Sequence, residues 1–578
     1  MGTDMIILKD AFKQFTLDQD KIITPRETLA RFKKRLRDMD LDILKETVRI
    51  DNRRLDIPVF FSQCGKDAAS IIGTKKQMGK GATPEQAEAS AVMELAERFS
   101  FFSFSKDDKN FTVETSERLG DQALSFELIA KSVHDESEHL EKSKLIYDKI
   151  PMKWTKAFNL TRQTPVLVPF SWFYMINEFN GPSAGNCQEE ALLQGICEIV
   201  ERHVSSLVSR GELHVPGIDP QSVTDVKSIE MLQKYKNNGI EMFLSDFTLD
   251  MGIPTIGALA YDPSTYPRKS EIVWTAGTTP DPEKALSRAL TEVAQLAGDF
   301  NTGSNYVASG LPKPVNTSAV DYILSPEQMV DIGKLPNISN GNIRIEVENC
   351  IGALAERGFE VIVINTTHAA LEIPAFYTIV PGAHFRERAS GTSVAMFSAK
   401  LITETQPAKT ALAKLMEMDE LLPGKYFIHF YQGMCRISLH QYEKALDDFN
   451  RAIDDNPTPE DIPSIYSYMG VCLKEMGKYP AALGVLEKGE AFDPDRTDIH
   501  NLKGFCYFKL KQHEAAISSF KKVIALNPNS AIDYANIASN YRDLGDATQA
   551  IKYYKMALNI DPGIEFAIEN LLRLELNS

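Results

Sequence analysis

Three kinds of residue recur at nearly constant spacing through the last part of this 578-residue chain. Small residues stand at Gly433, Gly470, Gly504 and Ala538, alanines at Ala445, Ala482, Ala516 and Ala550, and prolines at Pro457, Pro494, Pro528 and Pro562. Each series advances by 37, 34 and 34 residues, so the three patterns repeat together. A small residue lets two helices approach closely, and a proline ends a helix. The spacing predicts stacked helix–turn–helix pairs, closed by a solvating cap helix over Ile564–Leu576.

A period of 34 residues resembles that of the tetratricopeptide repeat. We therefore expect an all-α solenoid of four units plus the cap helix over residues 426–578. A helical stretch over residues 396–425, closed by Pro423-Gly424, would connect it to the preceding domain. The repeats would either bind a protein or peptide or pack for self-association, and both roles stay open.

The chain before the repeats alternates strand-like and helix-like runs. The strand-like runs are Thr164–Met175, Glu241–Leu249, Thr255–Tyr261, Glu271–Ala276, Glu360–Asn365 and Ala375–Val380. Helix-like runs lie between them, including Val347–Arg357. This pattern predicts a large mixed α/β domain over residues 1–395.

Three helix-like stretches of this domain share one polar stripe on an otherwise apolar cylinder. The stripes are Ser90, Glu94 and Glu97, then Gln194, Glu198 and Glu201, then Arg288, Glu292 and Gln295. Within each stripe the residues fall at i, i+4 and i+7, which is a single helix face. Most other positions are Ala, Leu, Ile, Val, Met or Gly, so these helices are expected to be buried nearly all round.

Buried carboxylates on two such stripes would repel one another unless something offsets their charge. Arg98, Arg202 and Arg288 would neutralise part of it, and Mg²⁺ with a polyphosphate ligand would neutralise the rest. One stripe alone is better explained as a salt-bridge network between packed helices. Three stripes of the same spacing favour an active site.

A loop rich in glycine and small residues precedes each striped helix. The loops are Met78–Thr83 with Lys80, Asn180–Asn186 with Ser183, and Ala276–Asp281. Such loops let backbone amides approach an anion at the positive end of a helix dipole. A Walker A loop at Gly73–Lys80 is excluded, because five residues separate its glycines and Gly81 replaces the required Ser or Thr.

The paired motifs S/Q-x-x-x-E-x-x-E-R, followed by R-x-x-x-E-x-x-Q, resemble those of the YcaO family over residues 1–395. The resemblance implies an ATP- and Mg²⁺-dependent enzyme that activates a backbone amide of a peptide or protein, converting ATP to ADP and phosphate. It implies metal ligands at Glu94, Glu97, Glu198 and Glu201. It implies nucleotide contacts at Lys9, Thr28, Lys80, Ser90, Ser183, Asn186, Glu190, Gln194, Arg202, Arg288, Glu292 and Gln295.

Two departures from the azoline-forming members narrow the subtype. The chain ends in Leu574-Glu-Leu-Asn-Ser578 and not in a Pro-x-Pro-x-Pro tail, and no fused leader-peptide clamp is evident at the N-terminus. Family members of this kind include thioamide-forming enzymes and an accessory factor for ribosomal-protein methylthiolation. We therefore expect thioamidation-like or cyclodehydration-like chemistry, a sulfur-delivery partner protein and a homodimer.

Composition excludes several other classes of protein. A net charge of −16 argues against a nucleic-acid binder, and no apolar run is long enough to span a membrane. Seven scattered cysteines without a CxxC motif are typical of a reduced, cytoplasmic protein. Two rival functions stay open: a non-catalytic adaptor that binds nucleotide and recruits a partner through its repeats, and an ATP-dependent carboxylate–amine ligase.

Overall fold

The computed structural model describes residues 5–38, 41–73, 77–177, 179–303, 306, 310–385 and 392–576. The chain divides into two compact units. The first comprises residues 1–140 and 148–394, and the second comprises residues 141–147 and 395–578. The two are described separately.

The strands all lie in the first unit. They are β1 (Leu44–Arg49), β2 (Val59–Cys64), β3 (Gln77–Lys80), β4 (Thr112–Glu114), β5 (Met152–Asn159), β6 (Thr164–Pro169), β7 (Pro182–Ala184), β8 (Gly217–Ile218), β9 (Glu241–Asp246), β10 (Thr255–Tyr261), β11 (Val273–Thr278), β12 (Met329–Val330), β13 (Ile362–Asn365) and β14 (Ala375–Ile379).

The helices run through both units. Those up to residue 356 are α1 (Pro25–Asp38), α2 (Lys66–Ile72), α3 (Pro84–Lys106), α4 (Ser116–Leu119), α5 (Phe126–Ser132), α6 (Leu140–Tyr147), α7 (Phe170–Asn177), α8 (Gln188–Gly211), α9 (Val226–Asn237), α10 (Pro282–Ala297), α11 (Asp321–Leu324) and α12 (Ile343–Glu356). The later helices are α13 (Val394–Thr405), α14 (Ala408–Leu421), α15 (Tyr426–Ser438), α16 (Tyr442–Asp454), α17 (Ile462–Glu475), α18 (Tyr479–Phe492), α19 (Thr497–Lys509), α20 (His513–Leu526), α21 (Ala531–Asp543), α22 (Ala547–Ile560) and α23 (Glu565–Leu576).

Within the described residues the strands form three sheets. The first has the order β1-β2-β3, and the second has the order β11-β10-β9-β8-β12. The third has the order β4-β5-β13-β14-β7, with β6 on the other edge of β5. All pairs are antiparallel except β8 with β12. The mixed α/β architecture predicted for this part of the chain is therefore confirmed.

Each striped helix follows a strand of a different sheet. β3 leads into α3, β7 leads into α8, and β11 leads into α10. Thr83 caps α3 by accepting a hydrogen bond from the Gln86 N–H, and Asp281 caps α10 by accepting one from the Glu283 N–H. A proline follows each of these two caps, where a missing N–H costs nothing.

Helix packing explains why glycine stands at two positions just before the striped helices. A Cβ at Gly79 would lie 2.0 Å from the Ala91 nitrogen, and one at Gly277 would lie 2.3 Å from the Ala285 oxygen. The backbones of β3 and β11 therefore touch α3 and α10 directly. The sequence suggested that glycines in these loops cradle an anion, but at these two positions close strand–helix contact is the reason.

The three strand–helix pairs contact one another in a cycle. α3 packs on β2 and β3 and also touches β7 and β14, while α8 packs on β7 and β14 and also touches β10 and β11. α10 packs on β10 and β11 and also touches β3. The cycle brings the three polar stripes to a common centre.

The elements differ from the sequence-based expectation in two ways. The run Thr164–Met175 is a strand only to Pro169, after which α7 begins, because its aromatic residues form a buried helix packed on β5. The strands that were not predicted are β1 to β5, β7, β8 and β12. In β1, β2 and β5 the side chains lack a regular alternation of buried and exposed positions, and the others have at most four residues, so none carries a clear period-two signal.

In the second unit, α15 to α22 form four helix pairs, as the repeat spacing predicts. The small residue of a pair faces a large one of its partner helix: Gly433 lies against Phe449, Gly470 against Leu486, and Gly504 against Phe520. A Cβ at any of these glycines would lie within 3 Å of that side chain. α23 closes the stack, as expected, and packs on α22. Among the described residues, no helix has both the length and the apolar character needed to cross a bilayer.

Candidate nucleotide and metal site

A cavity of about 310 Å³ lies where the three stripes meet. All but two of the site residues predicted from sequence line this cavity. The predicted residues that do line it are Thr28, Lys80, Ser90, Glu94, Glu97, Asn186, Glu190, Gln194, Glu198, Glu201, Arg202, Arg288, Glu292 and Gln295. Residues far apart in the chain therefore converge as the shared spacing suggested.

The two exceptions are Lys9 and Ser183. The Lys9 side chain is exposed, and its backbone N–H donates to Glu189 at 2.7 Å. Ser183 is fully buried in β7 beside Gly195, and its hydroxyl has no hydrogen-bond partner among the described residues. Neither side chain reaches the cavity.

Lys21 and Gln19 line the cavity and were not predicted. They lie on a tight loop in which Phe15 and Lys21 exchange backbone hydrogen bonds of 3.0 and 2.8 Å. The loop is held by Asp18, which is 2% exposed and accepts the Ala82 N–H at 2.7 Å. A loop lysine has no period, so pattern analysis passed over it.

Glu94 and Glu97 resist ionisation in this cavity. Burial raises the pKa of Glu97 to about 8; Glu198 and Glu94 add to the effect, and Arg98 opposes it. Burial also raises the pKa of Glu94, against the attraction of Arg98 and Lys80. Both carboxyl groups thus lie where a second source of positive charge would make ionisation more favourable.

Arg98 and Arg202 pair with the stripe carboxylates only loosely. Arg98 Nε lies 3.4 Å from Glu97 Oε1, and Arg202 lies 3.6 Å from Glu198 and 3.8 Å from Glu201. Arg288 makes closer contacts, donating to Glu201 at 3.2 Å and to Gln194 at 2.9 Å.

Arg202 Nε is buried and has no hydrogen-bond partner among the described residues. A buried guanidinium nitrogen in this state is costly unless an anion or water meets it.

Lys80 contacts Glu292 across the cavity. Burial lowers the pKa of Lys80 to about 7, helped by the positive charges of Arg288 and Arg202 and opposed by Glu201. Acids that resist ionisation and a lysine that resists protonation share one cavity. This combination is typical of a functional site, although ion-pair networks produce it too.

The first turn of α8 joins the cavity to the N-terminal segment. Glu190 accepts the backbone N–H groups of Ile22 and Asn186 at 2.7 and 2.9 Å, and the Thr28 hydroxyl donates to the Asn186 side chain at 3.0 Å. The oxygens of Glu190 therefore already have partners. Thr28 and Asn186 line the cavity together with the stripe carboxylates.

The chemistry of the donor set fits Mg²⁺ bound together with phosphates. Among the described residues, no group of three or more His, Cys, Asp or Glu side chains converges closely enough to hold a metal ion alone. Mg²⁺ in nucleotide sites takes one or two protein carboxylates and completes its shell with phosphate oxygens and water. Separated carboxylates and an unpartnered Arg202 nitrogen match that requirement.

The sequence profile of one family, described as "YcaO cyclodehydratase, ATP- and Mg²⁺-binding", matches residues 78–384, more than half of the chain. The chain belongs to the YcaO family. The match spans all three stripes, so the expected cofactors, ATP and Mg²⁺, are those of the family. Profiles of the tetratricopeptide repeat match residues 497–530 and 534–564.

Relatives and a solved structure agree with this membership. An uncharacterized protein of Methanothermobacter thermautotrophicus is 29% identical over 386 residues, which is 62% of this chain and 94% of that protein. The ribosomal protein S12 methylthiotransferase accessory factor YcaO of Escherichia coli is 26% identical over 38% of this chain and 40% of its own length. The YcaO structure from Methanopyrus kandleri bound with AMPPCP and Mg²⁺ shares the fold, with TM-score 0.50 and 24% identity over 65% of this chain and 95% of that one.

Proposed function

We propose that this YcaO-family protein uses ATP and Mg²⁺ to activate a backbone amide of a peptide or protein. The observation that carries the proposal is the convergence of three equivalent polar stripes on one cavity, where carboxylates and arginines are largely removed from solvent but incompletely paired. A static ion-pair network would pair these charges more closely.

The carboxylates of Glu94, Glu97, Glu198 and Glu201 would hold the metal. When bound, Mg²⁺ would act as a Lewis acid and offset negative charge on the phosphoryl group. Arg202 and Arg288 would offset charge on the transferring group, with the free Nε of Arg202 as a donor. Thr28, Asn186 and Lys21, which also line the cavity, would contact the nucleotide.

In the proposed reaction the amide oxygen attacks the γ-phosphorus of ATP, and ADP leaves. A nucleophile then adds to the amide carbon, and the oxygen departs with the phosphate. With sulfide as nucleophile the product is a thioamide, and with a neighbouring side chain it is a cyclodehydrated ring. The protein's contribution is positioning and electrostatic stabilisation, as in other phosphoryl transfers.

Thioamidation-like and cyclodehydration-like chemistry both fit this site. In a thioamidation-like reaction a sulfur-delivery protein would supply the nucleophile. The E. coli relative is named as an accessory factor for ribosomal-protein methylthiolation, so that role is a second candidate for this chain. The repeats are proposed to bind the protein partner.

The origin of the fourth phosphate oxygen tests this proposal. The protein is given ATP, Mg²⁺, sulfide and a peptide digest of its own host's proteome in H₂¹⁸O. Amide activation predicts phosphate without ¹⁸O, formed only when peptide is present, together with peptides that gain sulfur in place of oxygen. Phosphate carrying ¹⁸O would indicate simple hydrolysis by water. Phosphorylation of a free carboxylic acid would indicate the ligase, and binding without turnover would indicate the adaptor.

A further inference from the structure

A small cavity of about 60 Å³, which we call the side cavity, lies beside the cavity where the three stripes meet. The two cavities share the lining residues Gln19, Lys21, Glu190, Gln194 and Arg288. The other walls of the side cavity come mainly from the loop that holds Asp18, from α8 and α10, and from the first turn of α12. Its volume is well above the roughly 15 Å³ that one buried water needs, so it has room for a small ligand.

Two buried carboxylates in this wall each have one oxygen without a donor. Asp18 is 2% exposed and accepts the Ala82 N–H with Oδ2, while Glu346 is 1% exposed. Glu346 accepts from the Lys13 ammonium and the Asn340 N–H with Oε1. Asp18 Oδ1 and Glu346 Oε2 are buried and have no hydrogen-bond partner among the described residues. An ionised carboxylate cannot donate, so each of these oxygens requires a donor or a cation from elsewhere.

The nearby lysines are already engaged. Lys284 donates to the carbonyl oxygens of Thr16 and Leu17 and to Asp225, at 2.9, 2.8 and 3.1 Å, which uses the three donors of its ammonium group. Lys13 is shared between Asp20 and Glu346 Oε1, with both distances at 2.6 Å. A water molecule in the side cavity could donate to the two free oxygens but would leave their charge uncompensated. A cation would meet both requirements, because buried charges are normally paired or bound to a metal.

The small size and the few free ligands of the side cavity favour a monovalent ion. Mg²⁺ demands a near-octahedral shell and usually keeps several waters. Within the part of the chain that the structure describes, no group of three or more His, Cys, Asp or Glu side chains converges closely enough to hold a metal ion. A singly charged ion needs less compensating charge, which two carboxylates can supply.

We propose that the side cavity binds a monovalent alkali cation, held by Asp18 Oδ1 and Glu346 Oε2. The ion would fix the loop from Phe15 to Lys21, because Asp18 lies within it. Gln19 and Lys21 of the same loop line the larger cavity, so the ion would also favour nucleotide binding there. Only this last consequence rests on the proposed function, whereas the cation site does not.

Unfolding of the full chain by urea tests the cation site without nucleotide. It is followed by the fluorescence of the tryptophans, which all lie in the first unit, and is compared in KCl, NaCl and choline chloride at equal ionic strength with EDTA present. The wild type should unfold at a higher urea concentration in KCl or NaCl than in choline chloride, because an ion that binds only the folded state stabilises it. Equal midpoints in all three salts would overturn the proposal and leave water or a proton in the side cavity.

Neutral variants of the same size locate the effect. Asp18→Asn and Glu346→Gln should each lose the difference between choline chloride and the alkali salts. The matched control is Glu348→Gln, which removes an exposed carboxylate of the same helix α12 outside the side cavity and should keep the difference. A cation dependence that survives in both site variants would place the ion elsewhere and contradict the proposal.

Calorimetric titration with AMPPNP and Mg²⁺ tests the effect on the loop. The dissociation constant should be at least about fivefold lower in KCl than in choline chloride, and Glu346→Gln should abolish this difference. Equal affinities of the wild type in the two salts would contradict the positioning of Gln19 and Lys21 by the ion. No binding in either salt would contradict the proposed function, and the urea experiment would still decide the cation site.

Discussion

Charged groups occupy partly buried positions in both units, but they are paired in the repeats and crowded in the cavity of the first unit. In the repeats, burial opposes ionisation of Glu490, yet hydrogen bonds from Lys503 and Lys522 outweigh it and lower the pKa to about 2. In the cavity, burial and neighbouring carboxylates raise the pKa of Glu97 to about 8. Pairing that lowers an acid's pKa stabilises a fold, whereas crowding that raises it destabilises the ligand-free protein. This contrast is what we expect if the proposed ligand offsets the charges of the cavity.

The largest expected effect on stability concerns the contact between the backbones of β3 and α3 in the first unit. Gly79→Ala should lower its free energy of unfolding by about 3 kcal/mol, because a Cβ there would collide with the backbone of α3. The chain's tryptophans, Trp154, Trp172 and Trp274, all lie in the first unit, so denaturant unfolding followed by their fluorescence reports on that unit alone.

The control for this change is Gly484→Ala in the second unit. Nothing lies within 4 Å of a Cβ at Gly484, which is exposed in the interior of α18. Alanine there should stabilise the repeats by about 0.5–1 kcal/mol. Equal and small effects at both positions would show that the strand and helix backbones are not in close contact at Gly79.

Glu97 and Glu490 should contribute to the pH dependence of stability with opposite signs. Below pH 4.5 Glu97 is mostly protonated in both folded and unfolded states. Between pH 4.5 and about 8 only the unfolded state releases this proton, so Glu97 makes the ligand-free first unit less stable as pH rises. Glu97→Gln should remove this contribution, so the free energy of unfolding of the wild type minus that of the variant, measured by tryptophan fluorescence, should fall from pH 5 to pH 8. A difference that is constant with pH would contradict the raised pKa of Glu97.

A smaller effect is expected at Glu490. Its pKa is lowered, so its contribution to stability is present above pH 4.5 and is lost as pH falls from 4.5 towards 2. Glu490→Gln should destabilise the repeats by about 1 kcal/mol at pH 7, because Lys503 and Lys522 lose their charged partner. Hydrogen exchange of α18, α19 and α20 measures this, with Glu487→Gln on α18 as a control of unchanged exchange. If Glu490→Gln instead made the repeats more stable, the contrast between Glu490 and Glu97 would be contradicted.

Periodic features were predictable from sequence, and features that depend on tertiary contact were not. The stripes of α3, α8 and α10 and the spacing of Gly433, Gly470 and Gly504 are encoded at fixed intervals, so the fold class and most residues of the cavity could be predicted. Lys21 could not, because it reaches the cavity from a loop held by Asp18.

Two further differences have the same origin. The role of Gly79 is visible only when α3 lies on β3. Lys9 was placed at the site by resemblance alone, and its exposed side chain shows that a short motif match does not fix tertiary position.

We propose above that Mg²⁺ and a nucleotide bind among the crowded charges of the cavity. The most direct measurement is calorimetric titration of the full chain with AMPPNP and Mg²⁺. The double variant Glu94→Gln with Glu198→Gln is compared with Glu85→Gln, an exposed carboxylate of the same helix α3 that lies outside the cavity. We predict binding by the wild type and by Glu85→Gln, and an affinity at least about 100-fold lower for the double variant, equivalent to roughly 3 kcal/mol. No binding by the folded wild type, or equal binding by all three proteins, would contradict the account and leave the stripes as an ion-pair network.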